Sequence, residues 1–257
     1  ISSGDNAAVQ DSNILNSFDS DGFTLGNQDQ LNDTGANYVG WSWIANGSGS
    51  SNTAGSINTA YTSANTTSGF SISTFTGTGS AATVGHGLGV APRMIIIKYK
   101  GGDANWGVYH ESLGNTGAMF LDINATAGSS GDYWNSTTPT STVFTINTSS
   151  GLNYNGGSMI AYCFSQIQGF SKFNSYLGNG NANGPICYTG FKPAFVMVKN
   201  TQETDSWTIL DNRRDVFPNP HKLALFPDTN GSESGDYTID FLANGFKVKT
   251  SLLLSNI

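Results

Sequence analysis

Charge is scarce in this chain. Only 11% of its 257 residues are Asp, Glu, Lys or Arg, against about a quarter in an ordinary soluble domain. The eleven Lys and Arg nowhere form a basic stripe, and the formal net charge is -7. A nucleic-acid groove, which draws its affinity from phosphate neutralisation, is therefore not expected. No apolar run approaches the ~18–20 residues of a membrane-spanning helix. The longest, Met94-Ile95-Ile96-Ile97 and Phe195-Val196-Met197-Val198, are of strand length, so membrane insertion is not expected either. No stretch of eleven or more residues has helical periodicity. Cysteine is down to two, Cys163 and Cys187, without metal-ligand spacing around them. They read as buried free thiols, with a disulfide between them left open because spacing does not fix geometry. Only three histidines are present, and no Ser/His/Asp triad can be preferred. Neither an enzymatic activity nor a cofactor is expected.

What is present is glycine, 32 residues of it, abundant Ser, Thr and Asn, and 12% aromatics. This is not the charged, aromatic-poor composition of a disordered chain. It suits a β-rich extracellular or virion protein whose surface is polar but uncharged.

The chain also contains one stretch twice. Gly69-Phe70-Ser71, Phe75-Thr76-Gly77-Thr78-Gly79, Pro92, Met94-Ile95-Ile96-Ile97-Lys98 and Trp106-Gly107-Val108-Tyr109 return as Gly169-Phe170-Ser171, Tyr176-Leu177-Gly178-Asn179-Gly180, Pro193, Phe195-Val196-Met197-Val198-Lys199 and Trp207-Thr208-Ile209-Leu210. The spacing is held: Gly79 to Pro92 and Gly180 to Pro193 are both thirteen residues, Lys98 to Trp106 and Lys199 to Trp207 both eight. A period near 100 residues is the size of a small domain. The expected fold class is all-β, as tandem β-sandwich modules of jelly-roll or lectin-like kind. Residues 1–45 read as a lead-in with the closing strands of a module and 46–68 as a flexible linker. Residues 69–168 read as a first module and 169–257 as a second, with a strand over residues 175–177, lacking its closing strand.

The last point rests on a further likeness. Phe23-Thr24-Leu25 resembles Phe144-Thr145-Ile146, and Tyr38-Val39-Gly40-Trp41-Ser42-Trp43 resembles Met159-Ile160-Ala161-Tyr162-Cys163-Phe164, both at an offset of 121 residues. Phe246-Lys247-Val248 matches the first of these places in the second module, and its partner strand would fall near position 261. Because Ile1 is not Met, the chain reads as a processed form or a piece of something longer. Three readings stay open: the closing strand belongs to a longer tandem protein, it is donated by residues 38–44 of a neighbouring subunit, or residues 38–44 of the same chain supply it. Tyr38, Val39, Trp41 and Trp43, read as a strand, are thus the candidates for strand exchange between subunits.

Other candidates read mostly as architecture. Gly85-His86-Gly87-Leu88-Gly89 leads into Pro92 and a strand, where a dinucleotide motif needs a helix, so its glycines serve turn geometry. His110-Glu111 reads as a strand exit, and Asp211, Arg213, Arg214 and Asp215 as a local ion-pair cluster of little consequence if exposed. Asp19-Ser20-Asp21-Gly22 lacks the Glu of a full calcium loop. Trp106 and Trp207 recur at equivalent places and read as core. Trp134, with Tyr133 beside it in the loop 125–140, is the exposed-aromatic candidate for stacking on a glycan.

The segments 18–26, 85–92, 105–110, 190–199 and 239–247 together resemble a virion-protein domain of unknown function found in tailed phages of aquatic bacteria, cyanophages included. The likeness runs over roughly residues 18–248. It implies a tail-fibre or related appendage protein, extracellular or on the virion, without enzymatic activity. The expected partners are copies of itself and other virion or filament proteins, assembling through β edges. The alternatives are a carbohydrate-binding module whose partner is a host-surface glycan, and a self-assembling extracellular filament subunit built by strand donation.

Overall fold

Alternation decides the centre of the fold. Along Met94-Ile95-Ile96-Ile97, Ile95 and Ile97 enter one apolar core, while Met94 and Ile96 enter another. A run apolar on both faces belongs to a strand covered on both faces, as the sequence predicted. The protein is described here from a computed structural model, which covers residues 4–9, 11–215, 218–252 and 256. It is an all-β chain whose helices are single turns.

The chain divides into two compact units. In the smaller, Ala8–Trp43, β1 (Leu15–Phe18) and β2 (Phe23–Leu25) form a hairpin with Phe18 opposite Phe23. Asp19 closes the turn, its carboxylate accepting from Ser17 Oγ at 2.9 Å and Thr24 Oγ1 at 2.8 Å. One helical turn, α1 (Asp29–Asn32), follows.

The larger unit holds the rest. Its first strands are β3 (Tyr61–Asn65), β4 (Phe70–Thr76), β5 (Ala82–Gly85), β6 (Met94–Tyr99), β7 (Gly107–His110), β8 (Gly117–Phe120) and β9 (Gly128–Ser129). Then come α2 (Gly131–Trp134), β10 (Val143–Ile146), α3 (Ser150–Asn153) and β11 (Ser158–Phe164). A seven-stranded sheet runs β3-β4-β11-β6-β7-β8-β9, and β5 pairs with β10 separately. Phe75, Ile95, Ile97, Met159 and Cys163 of the large sheet share a core with Val84, Phe144 and Ile146 of the small one. The remaining strands are β12 (Ile186–Tyr188), β13 (Phe195–Val198), β14 (Thr208–Asp211), β15 (Ile239–Leu242) and β16 (Gly245–Val248). They form the sheets β12-β16-β15 and β13-β14.

The duplication is visible in strand register. Met94 pairs with His110 and Ile95 with Tyr109; Phe195 pairs with Asp211 and Val196 with Leu210. Val84 pairs with Phe144, and Cys187 with Phe246. The Lys that follows each central run plugs the loop beyond it: Lys98 Nζ donates to the carbonyl of Ala104 at 2.6 Å, and Lys199 Nζ to that of Asp205 at 2.7 Å. Burial lowers the pKa of both amines, against the pull of Asp122 on Lys98 and of Asp205 on Lys199. A third core joins the two repeats, with Met94, Ile96, Val108 and Met119 packed with Trp207. Trp106 lies at the edge of this same core.

Three expectations need correction. Residues 46–68 are not a linker: they supply β3, and Ile57 is buried in the first core. The Ser/Thr-rich composition here reflects a buried hydroxyl chain. Thr59 Oγ1 lies 2.8 Å from Thr62 Oγ1, which lies 3.0 Å from Ser73 Oγ, which donates to the Gly85 carbonyl at 3.0 Å. Hydroxyls that satisfy one another can enter a core without the cost of an orphaned polar group. Residues 38–44 are not a strand, nor are residues 175–177. Each has the side-chain pattern of a strand, but a strand also requires a neighbouring ladder, and neither belongs to any sheet.

Candidate functional site

The polar candidates are absorbed into the architecture. His86 is fully buried. Its Nδ1 accepts from the Leu88 N–H at 3.2 Å, which leaves the proton on Nε2, 3.2 Å from the Thr140 carbonyl. Burial lowers its pKa, opposed by the Thr140 contact. His110 Nδ1 caps the turn Glu111–Leu113 by accepting from the Ser112 N–H at 3.2 Å, and Glu111 pairs with Arg93 rather than with the imidazole. Cys163 and Cys187 are free and buried, and burial pushes both thiols up to about 12. Among the described residues no group of three or more His, Cys, Asp or Glu is placed to hold a metal ion.

The ion pair expected in the cluster after β14 is present between Arg214 and Asp211. Arg214 and Asp211 are buried, not exposed. Arg214 Nε donates to Asp211 Oδ2 at 2.6 Å, Nη1 to Glu233 Oε1 at 2.6 Å, and Nη2 to the Ile209 carbonyl at 3.2 Å. Burial pushes the Asp211 carboxyl up, but the Arg214 guanidinium and the N–H groups of Arg213 and Arg214 outweigh it and hold the pKa below its usual value. The pair is an internal brace for the chain leaving β14.

Trp134 is also not where the sequence suggested. It is 1% exposed. Its Nε1 donates to the Gly117 carbonyl at 2.9 Å, and its ring meets Tyr109 edge to face at 5.6 Å. The physical cause is local. Ser130 caps α2, its hydroxyl accepting from the Asp132 N–H at 3.1 Å, and the turn swings Trp134 inward. Tyr133 is half-buried against the same core and packs edge to face on Phe120. The loop 125–140 therefore presents no tryptophan platform for a sugar.

The strand-exchange candidates lie in residues 38–44. Tyr38 is 49% exposed and Ile44 70% exposed, with Val39 and Trp43 also on the surface and Trp41 partly covered. The Tyr38 hydroxyl donates to the Asp29 carbonyl at 2.6 Å and accepts from the Asp33 N–H at 2.8 Å, all within the smaller unit.

The central strands of the two repeats differ in their surroundings. In the first repeat β6 runs between β11 and β7. In the second repeat its counterpart β13 has one neighbouring strand, β14, among the described residues. Burial follows the difference. Five of the six residues of β6 are buried, but only Val196 of the four in β13. The counterpart of β4 reports the same thing. Phe70 is 5% exposed and packs on Phe164 of β11 at 4.9 Å, whereas Phe170 is 57% exposed. Among the described residues of the second repeat, no strand takes the place beside β13 that β11 holds beside β6. The two-sided apolar run of 195–198 calls for cover on both faces.

No curated protein and no solved structure matches the chain at a significant level. A family model does, over residues 2–256, and the chain thus belongs to the family described as Domain of unknown function (DUF7483).

Proposed function

We propose that this chain is a non-enzymatic structural module of an extracellular or virion appendage, a tail fibre or a related filament, that assembles through β-sheet edges. The observation that carries the reading is the difference between β6, set between two strands, and β13, set beside one among the described residues. A strand edge left in this state is a template for pairing with another chain. The likeness of segments 18–26, 85–92 and 239–247 to a phage virion domain supports the appendage setting. The low charge of the chain suits close contact between copies, because few ions need be desolvated when uncharged faces meet. The glycan-binding alternative is weakened by the burial of Trp134.

The test is the mass of the purified chain by light scattering across a concentration series, with electron microscopy of the same samples. A closed oligomer or fibre built on the 27.1 kDa subunit is the expected result. A monomer at all concentrations overturns the reading.

A further inference from the structure

We infer that β12 pairs edge to edge with β12 of a second copy of this chain, antiparallel and centred on Cys187. The inference rests on the assembly reading and gives it a named edge and occupant.

The first repeat shows what this edge carries when it is closed. Cys187 holds the place of Val84, since each pairs with the equivalent phenylalanine, Phe246 or Phe144. The far side of β5 is covered from within the chain: Ile57 bridges to Val84, and its N–H donates to the Thr83 carbonyl at 3.0 Å. In the second repeat β12 is the outermost strand of the sheet β12-β16-β15. Among the described residues no strand or bridge lies along its far side. The side chains differ in step. The covered Val84 is flanked by Thr83 and Gly85, whereas Cys187 is flanked by Ile186 and Tyr188, 63% and 65% exposed. An exposed edge of Ile and Tyr carries no charged or proline guard against pairing.

The backbone is turned to the open side. The Pro185 carbonyl accepts from the Val248 N–H at 3.0 Å, and the Thr189 N–H donates to the Asn244 carbonyl at 2.9 Å, so the odd-numbered residues face β16. Ile186 and Tyr188 therefore point their N–H and C=O groups away from it. The Tyr188 carbonyl also accepts from Asn174 Nδ2 at 3.4 Å, which leaves it a second lone pair. Ser73 makes the same contact with the Gly85 carbonyl in the first repeat, where the edge is nonetheless bridged.

The strand is complementary to itself. With a two-fold axis at Cys187, Ile186 exchanges two hydrogen bonds with Tyr188 of the second copy, and Tyr188 with its Ile186. Each pair sets a β-branched side chain beside an aromatic ring, a favourable cross-strand neighbour. Lys247, the sheet partner of Ile186, is kept from its symmetry mate by both strands, so no like charges meet. A slip along the edge leaves part of the three-residue strand unpaired, so centring on Cys187 is the register that uses all of it. The contact is smaller than the roughly 1,200 Å² at which standard interfaces begin, and is of the weak kind that many copies on one appendage reinforce. It sets the two Cys187 opposite each other as a non-hydrogen-bonded pair, with Cα atoms about 4.5 Å apart, a distance that a disulfide spans.

The experiment takes the full chain through sedimentation equilibrium over a concentration series. The same samples are oxidised with copper phenanthroline, and their disulfides are mapped by mass spectrometry. Ile186→Lys and, independently, Tyr188→Lys are the comparisons, because each puts a charge on the pairing edge while leaving the ladder to β16 in place. Both are first shown by circular dichroism and thermal unfolding to fold as the parent does. The expected result is a dimer carrying a Cys187–Cys187 disulfide, with its dissociation constant raised at least about tenfold by either lysine. An oligomer that both lysines leave unchanged and that carries no Cys187–Cys187 disulfide overturns this pairing while leaving edge assembly standing. Monomers at every concentration overturn both readings.

Discussion

Tyr176 meets Phe246 edge to face, with ring centroids 6.2 Å apart. The pair reproduces Phe75 and Phe144, which meet edge to face at 6.5 Å in the first repeat. Residues 175–177 have left the sheet, yet the aromatic contact across the second core has survived. The contact is therefore held by side-chain packing and not by a ladder. A double-mutant cycle with Tyr176→Leu and Phe246→Leu should show a coupling of about 0.5–1.5 kcal/mol in urea unfolding. A coupling near zero would mean that the two rings are only neighbours.

Trp134 should behave as a core residue. Trp134→Ala should lower the unfolding free energy by about 3–5 kcal/mol. Trp134→Phe keeps the packing against Tyr109 and orphans the Gly117 carbonyl, so it should cost less, about 1–3 kcal/mol. Denaturant titration with tryptophan or circular-dichroism readout measures both. A change to alanine without loss of stability would restore Trp134 as a surface residue.

Arg214 and Arg93 make a matched comparison. Arg214→Met leaves Asp211 buried without its guanidinium, and should cost about 3–5 kcal/mol. Arg93 and Glu111 are each about two-fifths exposed, and Arg93→Met should stay within about 1 kcal/mol. Equal effects in thermal unfolding would show that burial does not separate the two pairs.

His86 should make stability fall on mild acidification. Its folded-state pKa lies below the ordinary value of 6.5, because burial disfavours the charged ring. Below that ordinary value the unfolded chain binds a proton that the folded chain resists, and stability is lost as pH drops towards the folded pKa. The contribution is complete above pH 6.5. A second proton on the ring would also set Nδ1–H against the Leu88 N–H. Urea midpoints at pH 7.5 and 5 should therefore separate further for the parent than for His86→Gln, and equal separation would remove His86 as the cause.

Much of the fold was written in the residues. The doubled run of apolar residues before Lys98 and Lys199, the constant spacing to Trp106 and Trp207, and the offset of Phe246 from Phe144 all became matched strand registers. These features depend on periodicity along one strand and on the spacing of turns, and both are local.

Tertiary structure decided what depends on neighbours. Trp134 lies in a polar loop, and only the capped turn at Ser130 brings it to Tyr109. Thr59, Thr62 and Ser73 read as linker and surface until their hydroxyls are seen to bond to one another. Asp211 and Arg214 become buried because Glu233 and the Ile209 carbonyl, distant from them or hidden in the backbone, complete the guanidinium's contacts. Residues 38–44 have every side chain a central strand needs and still form none here. A strand is a relation between two segments, so the sequence determined which residues can pair, and the structure alone decided which of them do.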